Sequence, residues 1–149
     1  MNLIHAEVSA VIEARPEKVY AILADYRVSH PAILPKAYFT DLTVEQGGQG
    51  AGTVARAQMK VMGTEMTYHL IASEPQPGRV LMEKDNELGV TTTFTADPLN
   101  GGSQSRVTIA TDAAASPSIK GRLEQLFNPL VMRRIYRQEL QELAAYVQP

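Results

Sequence analysis

The stretch LIHAEVSAVIEARPEKVYAILADY, residues 3–26, changes its apolar period part-way along and decides the fold class. Its first half alternates strictly, with an apolar face made of Ile4, Ala6, Val8, Ala10 and Ile12. A period of two over that length predicts a half-buried β-strand. After Pro16, which suits the first turn of a helix, apolar residues recur at helical spacing: Val19, Ile22, Leu23 and Tyr26. The stretch therefore predicts a strand followed directly by an amphipathic helix.

A short proline-bounded segment, HPAILP at residues 30–35, ends this part, and the period then returns to two. The later sequence predicts six further strands, at residues 37–45, 53–62, 64–74, 79–85, 89–97 and 105–112. Turn signals separate them, namely Gly47-Gly48, Gly63, Pro77-Gly78 and Asn100-Gly101-Gly102. Such short connections predict antiparallel neighbours, because a parallel pair needs a long crossover.

The last segment, residues 119–147, predicts a helix whose apolar stripe changes direction at Pro129. Before that residue the stripe is Leu123, Leu126, Phe127 and Leu130; after it, the stripe is Met132, Tyr136, Leu140, Leu143, Ala144 and Val147. Two explanations are open. A proline inside a helix loses a hydrogen bond and kinks it. Alternatively, Asn128 caps a second helix with Pro129 as its first residue.

Seven antiparallel strands with helices grouped on one side define an α+β plan, in one domain over residues 1–149. Alternation assigns to the inner face of the later strands the residues Ala55, Ala57, Met59, Val61, Met66, Tyr68, Leu70, Ala72, Val90, Thr92, Phe94, Ala96, Val107, Ile109 and Thr111. This face mixes small residues with methionine, which adapts to irregular apolar shapes. A curved sheet covered by one long helix leaves volume that small residues do not fill. The pattern therefore favours a ligand cavity.

The same segments resemble the START-like superfamily, also called SRPBCC, and within it the polyketide cyclase/dehydrase-type branch. The resemblance lies in VSAVIEARPEKVYAILADY (8–26), GTVARAQMKVMG (52–63), EPQPGRVLMEKD (74–85), GVTTTFTADPLNGG (89–102) with SRVTIATD (105–112), and the C-terminal helix. It implies a helix-grip fold: a curved seven-stranded antiparallel sheet wrapped around a long C-terminal helix, with two short helices between the first two strands and an apolar cavity inside. Such proteins bind lipids, sterols, polyketides and other hydrophobic molecules. No catalytic residue is common to the superfamily, so none is transferred here.

The predicted ligand-binding residues combine the inner face with the segment that the resemblance places at the cavity mouth. They are Ile33, Leu34, Tyr38, Ala57, Met59, Met66, Tyr68, Met82, Thr92, Phe94, Phe127 and Leu130, with His30 as a rim residue. Among them, Ile33, Leu34, Phe127 and Leu130 are expected to close the mouth by touching one another, beside a bend at Pro129.

Other polar groups are interpreted as ordinary surface. His5 and His69 fall on polar strand faces, and no histidine has a partner at metal-ligand spacing, so no metal is expected. Glu83 and Asp85 are interpreted as a solvated strand face rather than a carboxylate pair. Glu139 and Glu142 follow the arginines Arg133, Arg134 and Arg137, which favours surface ion pairs.

Several function classes are excluded or disfavoured. The glycine-rich GGQGAG, residues 47–52, lies between strands and lacks a Gly-Lys-Ser/Thr ending, which favours a turn over a phosphate loop. The absence of cysteine excludes thiolate catalysis and disulfides. A net charge of −2 with scattered basic residues argues against nucleic acid, and no apolar run is long enough for membrane insertion. A cytoplasmic location is expected, because no export segment is recognised.

The leading interpretation is the binding or transport of a small hydrophobic or lipid-like molecule, without catalysis and without a cofactor. One alternative is a cyclase, dehydratase or isomerase acting on a hydrophobic carbonyl compound, with Tyr68 or a misassigned His69 as its acid–base group. A second alternative is a protein-interaction module. A deep cavity would argue against the interaction module, and a buried, unpaired titratable group would favour the enzyme. The ligand and the oligomeric state are left open.

Overall fold

The computed structural model describes residues 3–114 and 128–149, which contain seven strands and three α-helices. In order they are β1 Leu3–Ile12, α1 Pro16–Ala24, α2 Ser29–Ile33, β2 Phe39–Gln46, β3 Val54–Val61, β4 Thr64–Gln76, β5 Val80–Asp85, β6 Val90–Leu99, β7 Gln104–Ala114 and α3 Pro129–Tyr146. The strand boundaries lie within about two residues of the predicted ones.

All seven strands form one antiparallel sheet in the order β1-β7-β6-β5-β4-β3-β2, with β1 and β2 at its edges. The helix α3 packs against β1 and α2, while α1 packs against β5, β6 and β7. The sheet is curved and grips the C-terminal helix, and the two short helices lie between β1 and β2. The predicted helix-grip fold is thereby confirmed.

A tight turn at Met62 and Gly63 sets the register of β3 against β4. Both residues have positive φ, 51° and 80°, as a two-residue hairpin turn of type I′ requires. In this register Ala57 lies opposite Tyr68 and Met59 lies opposite Met66. Every second residue of β4 from Thr64 to Ala72 is buried, as the alternation predicted.

The polar outer face of β4 was also predicted correctly. His69 exposes 48% of its side chain, and its Nε2 lies 2.7 Å from Oε1 of Glu45 on the edge strand. His5 is similarly half-exposed on β1 and contacts Asp112 of β7. Both imidazole rings therefore lie on the solvent side of the sheet.

Strand β5 overturns two predictions. Leu81, Glu83 and Asp85 point inward and are buried, whereas Met82 and Lys84 lie on the other face. The solvated interpretation of Glu83 and Asp85 was therefore wrong, as was the inward placement of Met82. Asp85 is stabilised in the interior because its carboxylate accepts hydrogen bonds from three backbone N–H groups, those of His69, Glu87 and Leu88, at 2.8–3.0 Å.

The C-terminal helix α3 begins at Pro129 and is capped by Asn128, whose side chain accepts a hydrogen bond from the Leu130 N–H at 2.9 Å. Of the two explanations for the change of stripe, the cap is correct, and a proline kink inside this helix is not. The predicted helical residues 119–127, including Phe127, lie outside the described residues.

The segment HPAILP is partly helical. Its first four residues complete α2, with Pro31 in the helix and Ile33 completely buried. Leu34 follows the helix and is also buried. These two apolar side chains are therefore covered by protein, although they stand in a connection between larger elements.

Candidate functional site

A cavity lies between the concave face of the sheet, α2 and α3. The volume of this cavity is about 70 Å³. Its walls are mostly apolar. The lining residues are Tyr26, His30, Leu34, Phe39, Leu42, Ala57, Met59, Met66, Tyr68, Leu70, Glu83, Val90, Thr92, Phe94, Thr111, Met132, Ile135, Tyr136 and Glu139.

The structure brings together eight of the residues that the sequence proposed for a site. They are Leu34, Ala57, Met59, Met66, Tyr68, Thr92, Phe94 and His30. Four others do not line the cavity. Ile33 is buried in the core, Tyr38 precedes β2, Met82 lies on the outer face of β5, and Leu130 exposes 69% of its surface. A residue that closed the mouth by burying itself against Ile33 would not be so exposed.

His30 lies inside the protein rather than on the rim, since it is only 3% exposed. Its Nδ1 is 2.6 Å from the carbonyl oxygen of Leu23. A carbonyl only accepts hydrogen bonds, so Nδ1 carries a proton and Nε2 faces the cavity side. The imidazole stacks on Tyr26 at a centroid distance of 4.7 Å and meets Phe94 edge-on at 5.5 Å. These contacts fix the ring, and the rim prediction was wrong because α2 turns this side chain inward.

Glu83 contacts both Tyr26 and His30. The Tyr26 hydroxyl donates to Glu83 Oε2 at 2.7 Å, and His30 Nε2 lies 3.9 Å from the same oxygen. Burial raises the pKa of Glu83, while the charge of His30 and the hydrogen bond from Tyr26 act in the opposite direction. Glu83, His30 and Tyr26 thus form one buried polar group on the cavity wall.

Glu139 enters the cavity from α3 and is 2% exposed. Burial, with a smaller contribution from the nearby charge of Glu83, raises its pKa to about 8. Among the described residues, its Oε2 has no hydrogen-bond partner. The expectation of a surface ion pair was wrong because position 139 follows Met132, Ile135 and Tyr136 on the buried stripe of α3.

The hydroxyl of Tyr68 is, after Oε2 of Glu139, the second buried polar atom without a partner among the described residues. Within the part of the chain described, no group hydrogen-bonds its hydroxyl, and burial raises its pKa well above the ordinary value. Thr92 lies nearby, but its hydroxyl pairs with that of Thr111 at 2.7 Å. Thr111 in turn contacts the Tyr136 hydroxyl at 2.5 Å. The two threonines and Tyr136 thus satisfy one another, while the Tyr68 hydroxyl lies close to Thr92 without the geometry of a hydrogen bond.

A shallower depression adjoins the cavity on the side of β2. It has a volume of about 210 Å³ and is lined by Pro31, Leu34, Lys36, Phe39, Thr40, Asp41 and Leu42. Leu34, Phe39 and Leu42 line both spaces and therefore form the wall between them. We call these three residues the partition.

Sequence reasoning missed several polar residues of the site. Tyr26 and Tyr136 were assigned to apolar helical stripes, and that assignment was a usable signal for their position. Glu139 could have been found in the same way, because it lies seven residues after Met132 and four before Leu143. Glu83 carries no such signal, because β5 does not alternate clearly.

Within residues 3–114 and 128–149, no group of three or more His, Cys, Asp or Glu is placed to hold a metal ion. None of the helices in that part has both the length and the apolar character needed to cross a bilayer.

A family model described as polyketide cyclase / dehydrase and lipid transport matches residues 4–148. The chain belongs to this family. The resemblance drawn from the sequence motifs is thereby confirmed for nearly the whole chain. No curated protein matches the sequence significantly.

Solved structures of other proteins agree with the fold. The solution structure of the KanY protein is 29% identical and covers 100% of both chains, with a TM-score of 0.84. The aromatase/cyclase ZhuI from Streptomyces sp. R1128 is 18% identical over 97% of this chain and 93% of its own, with a TM-score of 0.74. A START superfamily protein from Mycobacterium smegmatis is 11% identical over 96% of both chains, with a TM-score of 0.72. The last two likenesses concern the fold alone.

Proposed function

We propose that this protein binds a small, mostly apolar molecule carrying one polar group in its internal cavity. The family supports a hydrophobic-ligand or cyclase role in general terms. The walls formed by Ala57, Met59, Met66 and Phe94 supply apolar area. Burial of such area contributes on the order of 25 cal/mol per Å².

The observation that carries the proposal is the pair of unpartnered polar atoms, Tyr68 Oη and Glu139 Oε2, on the wall of one apolar cavity. A buried polar atom without a hydrogen bond costs about 1–3 kcal/mol. Two such atoms in one cavity are stabilised together when a ligand brings a complementary polar group. The apolar part of that ligand then lies against the methionines and Phe94.

Filling the cavity with a protein side chain tests this function. Ala57→Phe, on β3 opposite Tyr68, is expected to keep the fold and to weaken uptake of an environment-sensitive apolar dye on the order of tenfold. Thr67→Phe adds the same aromatic bulk on the exposed outer face of β4 and is the matched control. Fluorescence titration measures the affinity, circular dichroism verifies the fold, and native mass spectrometry of fresh wild-type protein identifies any retained ligand. Folded wild-type protein without saturable uptake across a broad apolar panel would refute the binding function.

Acid–base catalysis on a hydrophobic carbonyl compound is the second candidate. It is favoured by Glu139, a buried titratable group without a partner for Oε2 among the described residues and largely protonated at neutral pH, and by the Glu83–His30 pair on the same cavity wall. A protonated carboxyl can donate to a carbonyl oxygen while the pair removes a proton from the adjacent carbon. Tyr68, the acid–base group proposed from the sequence, can donate a hydrogen bond but holds its own proton too firmly to act as the base.

Exchange of carbon-bound hydrogen distinguishes catalysis from simple binding. Benzylacetone incubated with the enzyme in deuterium oxide is expected to gain deuterium beside its carbonyl, and Glu83→Gln is expected to abolish the enzyme-dependent part. Mass spectrometry follows the label. Saturable binding of benzylacetone without hydrogen exchange would contradict the catalytic function and support binding alone.

A further inference from the structure

The cavity has an unequal number of acidic and basic groups. Two carboxyl groups, those of Glu83 and Glu139, line it, and the imidazole of His30 is the one ionisable base on the described part of its wall. No lysine or arginine appears among the lining residues that the structure describes. Even when His30 is protonated, one of two ionised carboxylates remains without a cation.

The unmatched carboxyl is that of Glu139. Glu83 has the Tyr26 hydroxyl at 2.7 Å and His30 at 3.9 Å, so its charge has partners inside the protein. Glu139 has neither a hydrogen bond to Oε2 nor a basic neighbour among the described residues, although it is 2% exposed. An isolated buried carboxylate is very costly, and a protein relieves it by protonation or by a cation.

The surrounding walls suit a cation. Tyr26, Tyr68, Phe94 and Tyr136 all line the same space, and the faces of aromatic rings attract ammonium groups within about 6 Å of the ring centroid. The hydroxyl of Tyr68 is free to accept a hydrogen bond. An ammonium group has three donors and no acceptor, so it can serve Glu139 and Tyr68 at once.

We propose that the ligand of this cavity is a small hydrophobic amine whose ammonium group pairs with the carboxylate of Glu139 and donates to the Tyr68 hydroxyl. The inference rests on the proposed binding function and narrows its ligand to one chemical class. Where both carboxyls are ionised, ligands that carry a carboxylate, such as fatty acids, are disfavoured, because a third negative charge would face two others in a low-dielectric space.

Affinity for an amine then depends on pH through Glu139. The carboxyl of Glu139 must lose its proton before it pairs with the ammonium group, so binding strengthens as the pH rises through the Glu139 pKa of about 8. This holds as long as the pH stays below the pKa of the amine, so that the amine keeps its charge. Among the described residues, the other titratable groups that face the same cavity are His30 on α2, Tyr26 after α1, Tyr68 on β4, Glu83 on β5 and Tyr136 on α3. The tyrosines have raised pKa values and stay neutral over this range.

Matched probes of equal size test the inference. Phenethylamine, phenethyl alcohol and phenylacetate differ only in the polar end, and benzylacetone supplies a carbonyl. Titration of the folded protein by calorimetry or NMR is expected to show phenethylamine bound on the order of tenfold more tightly than the alcohol at about pH 8.5, with phenylacetate weakest. Amine affinity is expected to fall on the order of tenfold between about pH 8.5 and pH 6.5, whereas alcohol affinity stays level.

Two variants test whether the carboxyl of Glu139 causes the preference for the amine and its pH dependence. Glu139→Gln keeps the size of the side chain and is expected to remove both the amine preference and its pH dependence, with alcohol binding retained. Glu142→Gln removes a charge from the exposed side of the same helix and is expected to change neither.

The outcomes separate this inference from the binding function on which it rests. Equal affinity for the amine and the alcohol, or tighter binding of benzylacetone than of the amine, would overturn the inference while the cavity still binds ligands. Failure of every apolar probe to bind would remove both.

Discussion

Glu139 occupies a position where the helix α3 would ordinarily carry an apolar residue. Met132, Ile135 and Tyr136 precede it on the same buried stripe, and Leu143 follows. A carboxyl at this position costs folding free energy, because burial disfavours its charged form. Residues of binding and catalytic sites commonly carry such a cost, and replacing the charged residue by a neutral one recovers the lost stability. The residue is therefore better explained by a ligand than by the fold.

Replacement of Glu139 by glutamine is expected to reduce the loss of folding stability that accompanies a rise in pH. The ordinary pKa of the carboxyl is 4.5, and its pKa in the folded protein is about 8. Above pH 4.5 the unfolded chain loses this proton while the folded chain keeps it, so stability falls with rising pH until about pH 8. Between about pH 5 and pH 8, wild type should lose roughly 3 kcal/mol more than Glu139→Gln. Urea unfolding at both pH values measures the difference, and equal losses would mean that Glu139 is hydrated.

The polar residues of the site show where sequence reasoning stops at this scale. Tyr68 and Thr92 were placed correctly because a strand alternates and each has an apolar neighbour two positions away. Glu83 and Glu139 were assigned to the surface because charged residues are almost never fully buried without a partner. That rule fails at functional sites, and only the fold shows that both carboxyls face one cavity.

The helix α3 owes its start to two adjacent residues with different roles. Asn128 accepts a hydrogen bond from the Leu130 N–H, and Pro129 occupies the first helical position, where its missing N–H costs nothing. The change in the apolar stripe at this point is therefore the start of a helix.

Alanine substitutions at residues 128 and 129 distinguish a helix that is capped by Asn128 from a helix that is kinked by Pro129. Asn128→Ala is expected to destabilise the protein by about 1 kcal/mol, because the cap hydrogen bond is lost. Pro129→Ala is expected to change stability by less than about 0.5 kcal/mol, because no intrahelical hydrogen bond is restored. Thermal or urea unfolding of both variants gives the comparison. Stabilisation approaching 3 kcal/mol on Pro129→Ala is what relief of an interior proline would produce, and it would contradict this description.

Strands were predictable wherever one face is apolar and the other polar. In β4 the alternation runs without interruption from Thr64 to Ala72, and its prediction holds. In β5, with the sequence VLMEKD, apolar residues fall at both parities, so the period alone does not choose a face. The choice comes from tertiary contacts, since Glu83 meets the Tyr26 hydroxyl and Asp85 caps backbone N–H groups.

At the scale of the whole molecule, the sheet order places the edge strand β2 beside the segment that follows α2. Phe39 and Leu42 of β2 thereby join Leu34 in the partition between the cavity and the outer depression. The sequence predicted a mouth in this region and identified Leu34, but it chose Leu130 and Phe127 as partners. Leu130 is mostly exposed, and Phe127 lies outside the described residues. Contacts between residues far apart in the sequence depend on the final curvature of the sheet, which periodicity does not encode.

The partition predicts how side-chain size at Leu42 controls ligand exchange. A molecule passing from the outer depression to the cavity must displace Leu34, Phe39 or Leu42, and Leu42 is only partly buried, so its truncation should cost little stability. Leu42→Ala is expected to accelerate both uptake and release of an apolar dye on the order of tenfold, which corresponds to lowering the barrier by about 1.4 kcal/mol. Leu42→Phe should slow both rates. Val44→Ala, on the same strand but in neither wall, is the control.

Stopped-flow fluorescence measures the two rates separately, and their ratio is informative. A residue that acts on the passage changes the barrier, so uptake and release shift together and the dissociation constant stays nearly constant. If Leu42→Ala accelerates release alone, Leu42 acts as part of the bound-state wall. In that case ligands reach the cavity by another route, and the partition is a fixed part of the site.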